Sequence, residues 1–304
     1  ILPLIIFGLI VGPFSTFLTD DGHKFIDTAR LFKSDILFDF VALSVGIILF
    51  EGGLTLRFKE VKHHVSTIRN LLIFGSLITL LGGALAAHYI LDISLTISFL
   101  FGSLVIVTGP TVIRLILQNV KPSQSISTIL KWEGVLIDPI GAFMTVLIYE
   151  FIVSGGAEGS IHALGGFFMI ILSGSAIGIL MAYFTYLLLR QKWAPHYLKN
   201  TIVLALTIFT YAFSDHFHEE SGLLAVTIMG IIISNSGLKD VKEILSFKED
   251  ITMILISILF IALSSRINMA DIYMLGWKSV SILLILTFII RPLGVFISAS
   301  KSAK

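Results

Sequence analysis

The stretch Leu130–Phe151, LKWEGVLIDPIGAFMTVLIYEF, decides how this chain is read. It is apolar enough to cross a membrane, yet Glu133 and Asp138 lie inside it, with Pro139 directly after the aspartate. A charge deep in a membrane span costs several kcal/mol, so an ionisable residue kept there is a functional candidate by default.

The rest of the chain supports a membrane setting for this stretch. Of its 304 residues 56% are hydrophobic and 13% charged, against about 25% charged in an ordinary soluble domain. Apolar runs recur along the whole length, which neither a signal peptide nor a single anchor explains. At about 20 apolar residues per helix, ten segments emerge, roughly 1–18, 36–56, 70–90, 95–118, 124–154, 161–189, 200–217, 220–236, 249–267 and 272–297. They are long, continuous and rich in Leu and Ile, whereas barrel strands would be about 10 residues of strict alternation. The expected class is an all-α integral membrane protein.

Charge then reports topology. One set of connections holds thirteen Lys and Arg, among them Arg57, Lys59, Lys62, Arg69, Lys121, Arg190 and Lys199. The other holds five: Lys24, Arg30, Lys33, Arg266 and Lys278. The richer side is expected to be cytoplasmic, and an even number of spans then puts both ends of the chain there. A net charge of +1 lacks the basic face a nucleic acid would need. With no cysteine, disulfides, thiolate metal sites and cysteine nucleophiles are excluded. No linker or soluble domain is visible, so residues 1–304 are expected to form one transmembrane transporter domain. The opening ILPLIIFGLIVGPF and the closing KSAK suggest a piece cut at both ends.

Four ionisable residues sit deepest in the spans: Glu51, Glu133, Asp138 and Arg291. Each residue turns a helix by about 100°, so Glu133 and Asp138, five apart, diverge by about 140° and need different partners. Arg291, in FIIRPLGVF, is the one strongly basic candidate deep in the later spans, and a Glu133–Arg291 ion pair is expected. Asp138 then has no fixed countercharge. It lowers its energy by taking a proton or by binding a cation, and the mutual exclusion of the two is the chemical basis of cation/proton exchange. A buried, protonated core residue is the structural alternative.

Thr108-Gly109-Pro110 interrupts the middle of FGSLVIVTGPTVIRLIL, one span before Asp138. Interrupted helices at membrane depth expose carbonyls and half-helix ends to ions. Placed one span before Asp138, the break is therefore expected to form half of a site, with Gly109, Pro110 and Pro139 shaping it. Pro139 removes a backbone donor and is expected to disturb its helix locally. Glu51, in ILFEGGLTLRF, either approaches the ion path or is an interfacial carboxylate in water. DHFHEES, residues 215–221, reads as an exposed polar loop, with a pH sensor or metal site as the alternative.

FEGGL, TGP, EGVLIDPIGA and RPLGV, in this order on four spans, resemble the monovalent cation:proton antiporters of the NhaP type, relatives of the eukaryotic sodium/proton exchangers. The resemblance extends over essentially the whole chain. It implies an antiporter fold with inverted helical repeats and interrupted helices, with about ten spans present of an expected thirteen, and a homodimer in membrane lipid, as in a bacterial inner membrane. It implies secondary active exchange of Na⁺ or K⁺ for H⁺ with no cofactor and no enzymatic reaction, Asp138 and Thr108 holding the cation, Glu51 lining the inner funnel, and Glu133 and Arg291 forming a structural pair. Two departures weaken the polarity of the site: relatives commonly carry Thr-Asp-Pro where this chain has Thr108-Gly109-Pro110, and Asn-Asp where it has Ile137-Asp138. Potassium becomes as plausible as sodium, and one titrating carboxylate suggests electroneutral exchange. A channel or channel-like permease is the alternative, without the repeated carbonyl filter that such a pore would use.

Overall fold

Among the described residues the apolar runs that the sequence marks fold mainly as helix, with the run 95–118 interrupted between Leu104 and Pro110, because backbone groups in hydrocarbon must be satisfied within the segment itself. The computed structural model describes residues 2–17, 23–26, 34–153, 157–191, 195–238 and 241–300. The connection between the first two expected spans, residues 19–35, lies largely outside these residues, as do Arg30, Lys33, Lys192, Lys239, Lys301 and Lys304 of the charge count. The helices are α1 (Leu2–Val11), α2 (Ser34–Leu54), α3 (Val65–Leu91), α4 (Leu95–Leu104), α5 (Pro110–Val120), α6 (Gln124–Val153) and α7 (Ala157–Arg190). They continue with α8 (Lys199–Phe217), α9 (Ser221–Asn235), α10 (Val241–Arg266), α11 (Met269–Ile285) and α12 (Arg291–Ser300). No strand occurs among the described residues.

Among the described residues five helical stretches are long and apolar enough to cross a membrane: Ile36–Leu54, Val65–Leu91, Gln124–Val153, Gly165–Arg190 and Gly276–Ala299. Hydroxyls inside the spans fold back on their own helices, as Thr207 does to the Val203 carbonyl at 2.7 Å and Thr227 to that of Leu223 at 2.7 Å. This local bond is how an apolar helix carries Thr without an orphaned donor.

The helices pack as two groups. In the first, α9 is the central element, enclosed by α2, α7 and α8, while α10 packs on α1 and α2. Its sequence, SGLLAVTIMGIIISN, buries residues on all sides, including Leu223, Ala225, Val226, Met229 and Ile233. Helix α2 crosses it where Gly53 meets Gly230: a Cβ on Gly53 would fall 2.6 Å from the Thr227 carbonyl oxygen. In the second group α3 carries α4, α11 and α12. Helix α6 touches both, meeting α4 and α5 as well as α7 and α9.

An apolar cluster joins the groups at the Lys- and Arg-rich side. It unites Leu56 after α2, Val61, Ile68 of α3, Trp132 and Val135 of α6, and Ile231 of α9. The rings of Phe58 and Trp132 stand 5.9 Å apart at its edge.

Two departures from ideal helix matter for the site. Helix α3 contains a π-turn at Leu71–Gly75, and a second π-turn at Leu286–Ile290 joins α11 to α12. By contrast α6 runs unbroken through Pro139 for 30 residues, so the expected local disturbance there is not a break. What the proline removes is one amide: the Val135 carbonyl four residues back loses its usual donor while the flanking turns keep theirs.

Candidate ion site at the broken helix

The site begins with a helix that stops inside an apolar run. Helix α4 ends at Leu104, with Val105 as its C-cap, and α5 starts at Pro110 in the first helical position. Between them Gly109 adopts φ 69° and ψ 117°. An L residue reaches such a conformation only under strain, which is the physical reason glycine stands here. Pro110 suits the next position because its missing N–H falls where a helix start has no acceptor to offer.

Helix α6 holds this interruption through a series of contacts. Gly141 leaves room for Val107, whose Cγ2 would lie 2.3 Å from any Cβ at that position. The Thr108 hydroxyl donates to the Glu133 carboxylate at 3.4 Å and 3.5 Å, long bonds that leave the hydroxyl oxygen's lone pairs open. The Gly109 amide faces the Asp138 carboxylate. Glu133 and Asp138 therefore do have different partners, as their helical offset requires, and both partners lie in the one unwound segment.

Among the described residues the Asp138 Oδ1 is buried and has no hydrogen-bond partner, as is also true of Trp132 Nε1, Asn200 Oδ1 and Thr252 Oγ1, but it is the one carboxylate oxygen of the four. Buried polar atoms are nearly always paired, so an orphaned carboxylate oxygen calls for an explanation.

Arg291 also reaches the break. Its Nη2 donates to the carbonyl oxygens of Val105 at 2.9 Å and Ile106 at 2.7 Å. Its charge acts on Glu133 through space, but among the described residues no direct ion pair or hydrogen bond joins the two. Relative to the expected pairing, the direct bonds of the guanidinium go to backbone instead, because the unwound turn presents two unsatisfied carbonyls within its reach.

Glu51 is only 3% exposed, so the interfacial carboxylate in open water is ruled out. The end of its helix is clasped by two residues that the sequence reading passed over. Ser234 donates to the Leu54 carbonyl at 2.6 Å, while Asn235 donates to the Leu56 carbonyl at 2.9 Å and accepts from the Phe58 amide at 2.8 Å. Their only sequence signal was a polar pair closing an apolar helix, which reads as an ordinary stop. Of the segment 215–221, residues 215–217 end α8 and 218–220 make the tight turn to α9, with Asp215 accepting from the Glu220 amide at 2.8 Å and the Ser214 and Ser221 hydroxyls 2.8 Å apart. Among the described residues no group of three or more metal-ligating side chains occurs, there or elsewhere.

Position 109 offers a direct test of this geometry. A Cβ added there would meet nothing within 4 Å, so a side chain has space but must accept the strained backbone. Gly109→Asp is expected to strengthen cation binding beside Asp138 while lowering stability by about 1–3 kcal/mol. Cation-dependent melting of the purified variant reads both effects, and unchanged cation dependence would separate Gly109 from the ion path.

Comparison with known proteins agrees in one direction. The Na⁺/H⁺ antiporter NhaH of Halobacillus dabanensis is 23% identical, the match covering 88% of this chain and 68% of that protein. Na⁺/H⁺ antiporter 1 of Methanocaldococcus jannaschii is 25% identical over 97% of this chain and 68% of its own length. The K⁺/H⁺ antiporter NhaP of Alkalimonas amylolytica is 22% identical, covering 97% and 50%. The fold matches the solved structure of the sodium proton antiporter MjNhaP1 from Methanocaldococcus jannaschii at pH 8, with a TM-score of 0.80, 22% identity, and coverage of 97% of this chain and 71% of that one. Because the family model described as sodium/hydrogen exchanger, transmembrane, matches residues 1–303, this multi-pass membrane protein belongs to the sodium/hydrogen exchanger family.

Proposed function

We propose that this protein is a secondary active antiporter that exchanges Na⁺ or K⁺ for H⁺, with Asp138 taking the proton and the cation in turn. The observation that carries the reading is the buried, unpartnered Oδ1 of Asp138 in the middle of a 30-residue apolar helix, beside a broken one. A carboxylate so placed must be neutralised, and proton and cation compete for the same oxygen. The Thr108 oxygen adds a second ligand, and the buried Glu51 lines the approach from the Lys- and Arg-rich side. Glu133 and Arg291 hold the interruption by charge, and Gly109, Pro110 and Pro139 shape it. Relatives whose names specify sodium and relatives whose names specify potassium both support the pair of candidate cations.

Finer features belong to the same reading. The chain forms one transporter domain of ten spans arranged in inverted repeats, with both ends of this piece on the cytoplasmic face of a bacterial inner membrane. It works as a homodimer. One carboxylate carrying one proton or one monovalent cation makes the exchange electroneutral.

Proteoliposomes holding a pH gradient test the proposal. Adding Na⁺ or K⁺ is expected to dissipate the gradient, at a rate that does not change when a membrane potential is imposed. Cation-driven current without proton movement would identify a channel and overturn antiport. A rate that follows the imposed potential would overturn the one-for-one stoichiometry alone.

A further inference from the structure

The mechanism so far gives Arg291 no task beyond its charge, yet its hydrogen bonds are the most specific in the region. We propose that Arg291 is a positioning residue for the ion path, acting through the Val105 and Ile106 carbonyls of the broken helix rather than through Glu133. The proposal rests on the antiport reading and adds to it what selects the oxygens that face the cation.

Helix α4 stops at Leu104, so its last carbonyls and those of the unwound turn have no helical donors of their own. Free carbonyls in such a break would be ready-made cation ligands. The guanidinium occupies two of them at 2.9 Å and 2.7 Å, so their negative ends face a fixed cation instead of the mobile one. The guanidinium takes neither the Thr108 hydroxyl oxygen nor Asp138 Oδ1, the two oxygens that the antiport reading assigns to the cation.

The packing that brings Arg291 there is built in. Adjacent glycines on α3 seat both partners: Gly82 receives Ile290, the residue before Arg291, and Gly83 receives Gly102, three residues before Val105. A Cβ at Gly82 would lie 2.9 Å from Ile290 Cγ2, and one at Gly83 would lie 3.3 Å from the Gly102 Cα. The π-turn Leu286–Ile290 ends immediately before Arg291. Such a turn adds a residue to the helical repeat and so re-aims the side chains that follow it, a feature frequent at functional sites. Helix α3 is thus a common platform that fixes the distance between the arginine and the end of α4.

The test uses the purified full chain in detergent and in proteoliposomes. In Arg291→Gln, amide hydrogen exchange of residues 104–109 is expected to quicken at least tenfold while that of α9 stays as in the parent. The ratio of apparent Na⁺ to K⁺ affinity is expected to shift at least threefold, a change that general loosening of the fold does not produce. Both effects should recur undiminished when Glu133→Gln is also present. If they vanish in that background, the arginine acts through Glu133 and the proposal falls. Should Arg291→Gln fail to fold, Arg291→Lys is read in the same way, since an ammonium keeps the charge but not the planar fork. Unchanged exchange at 104–109 in a folded variant overturns the anchoring, and quickened exchange with an unchanged affinity ratio overturns its role in the ion path. Absence of antiport in the parent protein would remove the underlying reading instead, a separate result from either.

Discussion

Replacing Asp138 by Asn is expected to reduce cation-driven proton movement at least 100-fold while leaving the protein as stable as the parent or more so. The amide has nearly the same shape and volume as the carboxylate, but it takes up no proton near neutral pH and offers a cation no negative charge. The stability half follows from the observed geometry. Among the described residues Asp138 Oδ1 has no hydrogen-bond partner to lose, and a neutral side chain at the centre of a membrane helix avoids the roughly 2.5–3.5 kcal/mol that insertion scales assign to a charged aspartate. Stability and activity therefore move in opposite directions, the expected signature of a residue kept for function at a structural cost. Dye-reported collapse of a pH gradient in proteoliposomes, together with melting of the same preparation, measures both. A variant that exchanges as fast as the parent would make Asp138 structural and end the mechanism proposed above.

Gly230→Ala is expected to destabilise the fold. At a helix position with room, exchanging Gly for Ala stabilises by about 1 kcal/mol, because alanine loses less backbone freedom on folding. Gly165 of α7 is such a position, with nothing within 4 Å of an added Cβ. At Gly230 the same methyl would lie 2.4 Å from the Phe50 carbonyl oxygen and 3.2 Å from the Gly53 Cα. Both obstacles are backbone, so no rotamer change relieves them and α2 must move off α9. Overpacking costs about 1–3 kcal/mol and occasionally more, which outweighs the propensity gain. Thermal melting should therefore place Gly230→Ala below the parent and Gly165→Ala at or above it. Equal melting of the two variants would mean that α2 and α9 do not cross this closely. The effect also reaches the site, since Phe50 immediately precedes Glu51, and the displaced helix end carries that carboxylate with it.

These two positions show different degrees of legibility. Asp138 stood out from the linear sequence because the cost of a charge in an apolar run is local and needs no knowledge of neighbours. The interruption at Thr108-Gly109-Pro110 was legible for a similar reason: glycine and proline act on their own backbone, and the structure has Gly109 at φ 69° with Pro110 opening the next helix. Gly230 gave no such signal. In VTIMGIIISN it is one more small residue in an apolar helix, and its meaning comes from Phe50 and Gly53, some 180 residues earlier.

The same division holds across the molecule. Composition and the spacing of apolar runs were enough to establish an all-helical membrane protein, to mark the segments that became helices, and to single out an aspartate beside a broken span. All of these follow from transfer energies and backbone preferences summed over neighbouring residues. Only the folded arrangement showed that Glu51 is buried, that α6 passes through Pro139 without breaking, and that the direct bonds of Arg291 go to Val105 and Ile106. A long cationic side chain on one helix has carboxylate and carbonyl acceptors on several others within reach. Which of them it takes depends on differences of an ångström or two, and here those are set by a π-turn and by two glycines on a third helix, which no local stretch of sequence encodes.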